Sequence, residues 1–192
     1  NTAPVPLTGL VLRSTVSHLT VSVPKAWRLP YPGAVGEGDS VMLAPSERAY
    51  IISGYSPNAM SFRLNRCTGF FTQRTSFNPP LPRECPSPAQ ELSADSAAQL
   101  TEACIDYISS FPSCTSPSSS LPPSFQQDGN CQIYVSNKIS YGRCVALHKN
   151  EPGFYRNEWR IYLNRGETLW RARREAIELV DADGKLVSAY SY

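Results

Sequence analysis

The segment Glu175-Ala-Ile-Glu-Leu-Val-Asp-Ala-Asp-Gly-Lys-Leu-Val-Ser-Ala-Tyr190 carries the clearest strand and turn signals of the chain. Apolar residues alternate through its first half, which places Ile177 and Leu179 on the inner face of a strand. Asp183-Gly184 is a strong signal for a tight hairpin turn. The segment therefore predicts two antiparallel strands, the second of which continues through Tyr190-Ser-Tyr192.

Further strands are expected on both sides of the middle of the chain. Just upstream, residues 158–163 alternate so that Trp159, Ile161 and Leu163 share one face. The first 66 residues contain further short strand-like runs, at 9–12, 19–23, 41–43, 49–52 and 60–64. Proline- and glycine-containing turns separate these runs, and this pattern is typical of a β-sandwich or barrel.

The middle of the chain has helical periodicity instead. Ser93 is placed to cap a helix that Pro112 ends. Its apolar stripe consists of Ala97, Leu100, Cys104, Ile108 and Phe111. A second helical stretch begins near Asn130, and one face of its later part carries Tyr141, Cys144, Val145 and His148.

Six cysteines lie in this middle region, at Cys67, Cys85, Cys104, Cys114, Cys131 and Cys144. An even number without a Cys-x-x-Cys pair favours disulfides over a zinc site or a redox centre. Disulfides imply an oxidising compartment, so the sequence predicts an extracellular or cell-surface protein.

The sequence leaves the disulfide connectivity open. Cys67 and Cys85 flank a proline-rich excursion and most simply close it. Cys104 and Cys114 lie on one predicted helical arm, and Cys131 and Cys144 lie on the other. In the crossed arrangement these arms run antiparallel, so Cys104 meets Cys144 and Cys114 meets Cys131. If each arm closes locally, the pairs are Cys104–Cys114 and Cys131–Cys144. The crossed arrangement is slightly favoured.

Composition excludes several classes of protein. The chain has 192 residues, 41% of them hydrophobic and 10% aromatic, so it is expected to fold around a real core as one domain or two small ones. No run approaches the roughly 18 apolar residues of a membrane span. The net charge of +2 is too small to make the whole surface bind polyanions, which argues against nucleic acid as the partner.

Four segments near the end of the chain form one pattern: Trp159-Arg-Ile-Tyr-Leu-Asn-Arg165, Leu169-Trp170, Glu175-x-Ile-x-Leu-Val-Asp-x-Asp-Gly-Lys-Leu-Val187 and Tyr190-Ser-Tyr192. Together they resemble the C-terminal half of bacterial lamin-tail-domain proteins. Two earlier segments, Ser61-Phe-Arg-Leu-Asn-Arg-Cys-Thr-Gly69 and Leu81-Pro-Arg-Glu-Cys-Pro86, look like a cysteine-containing subgroup of that family. The resemblance implies an immunoglobulin-like sandwich that acts as an interaction module and has no catalytic residues.

The expected fold is therefore mainly β, an immunoglobulin-like β-sandwich with a disulfide-stapled helical insert. Residues 1–44 form an N-terminal strand segment, which either completes the sandwich or is donated to a neighbouring subunit. Residues 45–192 form the lamin-tail-like sandwich, with the helical insert at about 85–150.

Few residues are candidates for a site. The basic-aromatic cluster Arg165, Trp170, Arg171, Arg173 and Arg174 is the candidate for partner contacts, although Glu167, Glu175 and Glu178 partly balance its charge.

Other candidate sites have simpler structural interpretations. The spacing of Cys144 and His148 suits a metal on a helix, but a disulfide beside a helix-face histidine explains it better. Asp181-Ala-Asp-Gly184 is interpreted as a turn, because Tyr192 stands where a calcium loop needs glutamate. No nucleophile, phosphate-loop or paired-carboxylate motif is present, so we expect no enzyme, no cofactor and no bound metal.

The leading hypothesis is a non-enzymatic extracellular structural or interaction module, involved in adhesion or in assembly on a cell surface. Its partners would be proteins, with the chain itself among them if strands of Asn1–Val23 add to a neighbour's sheet and build a filament. The alternative is a module that binds cell-wall polysaccharide or an adhesion ligand, with Trp27, Tyr31 and Trp170 stacking on sugars.

Overall fold

The computed structural model describes residues 3–117 and 121–192, which divide into two compact units. The first unit contains the described residues up to Leu64 together with Asn157–Tyr192. The second unit is Asn65–Arg156. The chain thus leaves the first unit once and later returns to it.

The fold is mixed α/β, so the predicted mainly β, immunoglobulin-like sandwich is wrong. Strand and helix are nearly equal, at 22% and 23%, and the strands form three small separate sheets. The strand-like runs were mostly identified correctly, but the helical residues of the second unit form as large a part of the protein as the strands do. None of the helices among the described residues has the length and apolar character that crossing a bilayer requires.

The strands are β1 (Val5–Pro6), β2 (Val11–Ser14), β3 (Thr20–Ser22), β4 (Met42–Leu43), β5 (Arg48–Ile52), β6 (Phe62–Asn65), β7 (Tyr155–Tyr162), β8 (Ala176–Val180) and β9 (Leu186–Ser191). The α-helices are α1 (Pro88–Glu91), α2 (Ala94–Ala97), α3 (Glu102–Ser109), α4 (Gly129–Lys138) and α5 (Tyr141–His148). Two 3₁₀ turns lie at Thr68–Gln73 and Pro123–Phe125.

A four-stranded sheet with the order β3-β2-β8-β9 contains the hairpin predicted at Asp183-Gly184. All of its described pairings are antiparallel, β2 with β3 and β8, and β8 with β9. The strands near the start of the chain therefore pair within the chain, and β1 also pairs with β4. The outer strands β3 and β9 form the two edges of this sheet.

A three-stranded sheet has the order β5-β7-β6, and β5 runs parallel to β7. Trp159 and Ile161 of β7 lie on its core-facing side and are 4% and 0% exposed. They form one buried cluster with apolar residues that flank the strands near the start of the chain, and the partly buried Leu12 of β2 and Leu179 of β8 pack against the same core. Leu163 is buried too, so the predicted inner face of this strand is confirmed.

The opposite side of β7 is also buried, but it carries charged residues. Glu158 lies 2.8 Å from Arg48 and 2.8 Å from the 3% exposed Arg160. The Arg160 guanidinium also lies 4.4 Å from the centre of the Tyr50 ring. Because β5 and β7 are parallel and in register, Arg48 stands beside Glu158 and Tyr50 beside Arg160. The Arg48–Glu158 ion pair and the Arg160–Tyr50 cation–π contact thus tie the two strands together on this side, while the Glu158–Arg160 pair lies within β7.

The helices of the second unit begin at capping side chains. Ser93 caps α2 as expected, since its side chain accepts a hydrogen bond from the Ser96 amide. The single helix predicted after Ser93 is nevertheless two helices, because Thr101 caps α3 by accepting from the Cys104 amide. The predicted second helix is likewise divided, since Ser140 caps α5. Helices of this length depend mainly on tertiary packing for their stability.

Three disulfides link this unit, Cys67–Cys144, Cys85–Cys114 and Cys104–Cys131. The prediction of disulfides is confirmed, whereas the suggested Cys67–Cys85 pair is wrong, as are the crossed and the local pairings of the other four cysteines. Cys104 and Cys131 face each other because they lie on the buried sides of α3 and α4 in one apolar cluster.

Cys144 meets Cys67 because α5 packs against the 3₁₀ turn Thr68–Gln73, where the Phe71 and Tyr141 rings are 4.7 Å apart. These contacts depend on tertiary packing and not on the spacing of the cysteines along the chain.

Gly69 allows the chain to pass close to the Cys85–Cys114 bond. A Cβ atom at this position would lie 2.3 Å from the Cys114 sulfur and 2.9 Å from the Pro82 carbonyl oxygen. Any larger residue at Gly69 would therefore displace the disulfide or the backbone beside it.

Removal of Cys67–Cys144 by serine substitutions is expected to lower the free energy of unfolding by about 4 kcal/mol, because this bond spans 77 residues. The matched serine substitutions at Cys104–Cys131, which spans 27 residues, should lower the free energy of unfolding by about 1 kcal/mol less. Urea unfolding of the two double variants measures both losses. A larger loss for the shorter loop would contradict the chain-entropy explanation.

Candidate functional site

Strand β9 is an exposed edge with an apolar character. It pairs with β8 on one side only within the described sheet, and all its residues are exposed. Leu186 is 54% exposed and Tyr190 is 69% exposed. Large apolar side chains on an open edge are typical of sites where another chain adds a strand.

The backbone of β9 presents unpaired amide and carbonyl groups at alternate residues. Glu175 and Tyr192 exchange both of their backbone hydrogen bonds, each 3.0 Å long. In an antiparallel pair such exchanges recur at every second residue, so the amides of Ala189 and Ser191 point away from β8. These two residues offer donors and acceptors in the geometry of a sheet.

A bulge limits the regular part of this edge. Leu179 stands opposite Ser188 but Val180 stands opposite Leu186, so Val187 is an extra residue in β9. Bulges are one means of protecting an edge, as are charged residues and prolines, which Leu186–Ser191 lacks. The stretch from Ser188 to Tyr192 is therefore regular and unprotected.

The predicted arginine cluster lies in the loop between β7 and β8. Arg171, Arg173 and Arg174 are exposed, and Arg173 and Arg174 have no ion-pair partner within the described residues. Arg165 is exposed and lies 3.2 Å from Glu167. Trp170 is half-buried against an apolar cluster that includes Val21 and Leu169, so only part of its ring is accessible.

Glu175 fixes this loop to the sheet. Its side chain is buried, and it accepts hydrogen bonds from the Ser14 hydroxyl at 2.9 Å, the Arg171 amide at 3.0 Å and the Ala176 amide at 2.9 Å. The Tyr192 hydroxyl donates to the Arg171 carbonyl at 2.8 Å. The arginine loop and the end of β9 are therefore joined into one surface, which we call the β9 edge surface (Arg171–Glu175 and Leu186–Tyr192).

The environment of Glu175 favours its charged form. The Arg171 amide, assisted by the Ser14 hydroxyl and the Ala176 amide, holds the pKa of Glu175 below its ordinary value of 4.5, although burial acts in the opposite direction. Ser14 also organises the β2–β3 turn, since its hydroxyl accepts from the Val16 and Ser17 amides. One carboxylate thus connects the arginine loop with the next strand of the sheet.

The other end of β9 begins at an acidic turn. The Asp181 carboxylate accepts hydrogen bonds from the Asp183 amide at 3.0 Å and the Lys185 amide at 2.8 Å. Gly184 has a φ of +79°, which glycine adopts without strain. This turn carries two carboxylates and one ammonium group, whereas the opposite end of the strand lies beside three arginines.

The aromatic residues proposed for sugar stacking do not line one cavity. Trp27 borders an open cavity of about 440 Å³ that is also lined by Lys25, Glu37 and Asn164. Neither Tyr31 nor Trp170 contributes to its wall.

The candidate metal ligands are occupied by other interactions. Cys144 is disulfide-bonded, and the His148 ring nitrogens each lie 2.9 Å from a carboxylate oxygen, of Glu91 and of Glu151. The His148 ring, aided by Arg66, holds the pKa of Glu151 below its ordinary value. The disulfide interpretation of Cys144 is confirmed.

Cys104, Asp128 and Cys131 also approach one another within 4.8 Å. Both of these thiols are consumed by a disulfide, and the Asp128 carboxylate caps α4 and accepts from the Thr101 hydroxyl. The cluster is therefore a structural link between helices.

Sequence reasoning identified the arginines but missed the β9 edge and the role of Glu175. The available signal was the run Leu186–Ser191, which contains neither charge nor proline. Glu175 was counted only as a charge that balances the arginines.

No family model matches the chain, and no curated protein or solved structure is significantly similar to it.

Replacement of Glu175 by Gln tests this anchoring. Because the folded-state pKa is lowered, the stability contributed by Glu175 is present above its unfolded-state pKa and is lost as the pH falls through the folded-state value. Glu175→Gln should melt at a lower temperature than wild type at pH 7, and the difference should narrow as the pH approaches 3. Thermal unfolding across this pH range gives the comparison.

Glu178→Gln is the matched control, because it changes a more accessible carboxylate that pairs with Arg13 on the same sheet. It should alter the melting temperature little. A Glu175→Gln difference that stays constant between pH 7 and pH 3 would show that its ionisation does not stabilise the fold.

Proposed function

We propose that this protein is a non-enzymatic extracellular interaction module that binds an extended protein segment by strand addition at the β9 edge surface. The observation that carries the proposal is the regular, uncharged open edge from Ser188 to Tyr192. Strand addition provides affinity through backbone hydrogen bonds and selectivity through alternate side chains.

Each part of the surface has a function in this mode of binding. The outward groups of Ala189 and Ser191 pair with the backbone of the incoming segment. Tyr190 and Tyr192, whose rings are 5.7 Å apart, contact its side chains on one face. The arginine loop supplies positive charge at one end of the added strand.

An extracellular setting is supported by the three disulfides, which are typical of proteins that fold in oxidising compartments.

Ala189→Pro tests strand addition. The Ala189 amide points away from β8, so proline removes a donor from the open edge without removing a bond within the sheet. Linear peptides selected from a displayed random library on the wild-type protein should bind Ala189→Pro about tenfold more weakly. Fluorescence polarisation of the selected peptides measures this loss.

Ala182→Pro is the control, since it places the same residue in the β8–β9 turn at a position that tolerates proline. It should bind the selected peptides as wild type does. If the library yields only peptides that bind wild type and Ala189→Pro equally, the β9 edge is not the binding site.

A second candidate function is binding of a cell-wall polysaccharide beside Trp27. The observation that favours it is the open cavity of about 440 Å³, where an aromatic ring adjoins the polar Lys25, Glu37 and Asn164. Aromatic faces with nearby polar groups provide the two kinds of contact that a sugar ring needs.

Trp27→Ala should reduce retention on insoluble cell-wall polysaccharide roughly fivefold if the cavity binds sugar, since one aromatic contact is lost. Trp170→Ala changes a tryptophan outside the cavity and should be retained like wild type. Equal retention of the three proteins in a pull-down assay would exclude this function for the cavity.

A further inference from the structure

We infer that the segment added to β9 is the β9 strand of a second copy of this chain, paired antiparallel about a two-fold axis. This inference rests on the proposed function, because it requires strand addition at the β9 edge surface. It names the occupant, and it is argued from the backbone register, the side chains and the charges of the edge.

The backbone donors and acceptors of β9 can pair with those of a second β9 when the two-fold axis passes beside Tyr190. In this register Ala189 of one copy stands opposite Ser191 of the other, and both residues present outward amide and carbonyl groups. Each such pair exchanges two hydrogen bonds in an antiparallel sheet. The pair occurs twice by symmetry, so the interface between the two copies contains about four hydrogen bonds. The two four-stranded sheets would then continue into each other.

The side chains also fit this register. Tyr190, at 69% exposure the most accessible large apolar residue of β9, stands opposite its own copy at the axis. Tyr192 stands opposite Ser188 of the second copy, so a large ring meets a small side chain. The pair of Tyr190 side chains is a cross-strand aromatic pair, and such pairs stabilise sheets. The interface between the two copies would also cover tyrosine rings that the single chain exposes.

The charges at the two ends of β9 are complementary in the antiparallel arrangement. Arg173 and Arg174 lie just beyond the end of β9 that carries Tyr192, because Glu175 pairs with Tyr192. The Asp181–Lys185 turn lies beyond the other end. Antiparallel pairing places the turn of one copy, with Asp181 and Asp183, at the arginine end of the other, and this occurs twice by symmetry.

Strand β3, at the other edge of the same sheet, is a poorer pairing partner for β9 of a second copy. Strand β3 has three residues, Thr20–Ser22, and therefore offers a shorter ladder than β9 offers to itself. Pairing of β9 with β3 of the next copy would be head-to-tail and would build an open polymer. The two modes thus predict different assemblies.

Sedimentation equilibrium distinguishes these modes. The wild-type chain should form a reversible dimer that does not grow further, and Ala189→Pro should weaken dimerisation about tenfold or more. Arg173→Glu combined with Arg174→Glu, and separately Asp183→Lys, should each weaken the dimer on the order of tenfold at low salt, because each places like charges together twice.

An equimolar mixture of these two charge variants is the decisive measurement. In a mixed dimer the glutamate pair of one chain faces the new lysine of the other, and the one native arginine pair faces the one native Asp183, so association should return to near the wild-type strength. This recovery also shows that both variants are folded. Failure of the mixture to recover, or polymers that lengthen with concentration, would overturn the two-fold pairing.

The inference and the proposed function fail in different ways. A wild-type chain that stays monomeric while displayed peptides bind it and lose affinity for Ala189→Pro would overturn self-pairing and leave strand addition standing. A monomeric chain that selects no such peptide would overturn both.

Discussion

The parallel pairing of β5 with β7 is the constraint on which the rest of the fold depends. Two parallel neighbours cannot be joined by a hairpin, so the chain must make a long connection between Ile52 and Tyr155 before β7 begins. The second unit, with its helices and disulfides, lies within this connection. The register that results aligns Arg48 with Glu158 and brings Tyr50 beside Arg160.

Local signals in the sequence were sufficient where local interactions decide the outcome. The cap at Ser93, the turn at Asp183-Gly184 and the inner face of β7 were predicted, because each depends on residues within a few positions of one another. The parallel pairing of β5 with β7 and the disulfide connectivity were not predicted. They depend on contacts between residues up to 110 positions apart, such as Arg48 and Glu158, whose proximity only tertiary packing determines.

The candidate site was predictable in its charges but not in its geometry. The four arginines stand out in composition, but the sequence left their exposure open, and the structure shows that all four are exposed. The open edge was missed because Leu186–Ser191, uncharged and without proline, has the residues of an interior strand, and only its terminal place in the described sheet shows that it is an edge. Glu175 was missed for a related reason, since a buried carboxylate with three donors looks like any surface glutamate in the sequence.

The attachment of the end of β9 through Glu175 and Tyr192 has a thermodynamic consequence. A strand end held by two backbone bonds and by the Tyr192 hydroxyl is already ordered before anything binds to it. The conformational entropy of this strand is therefore lost during folding and not during association, and only an incoming segment that is itself flexible has to be ordered. A second, equally rigid β9 would bring no such entropy cost to the complex.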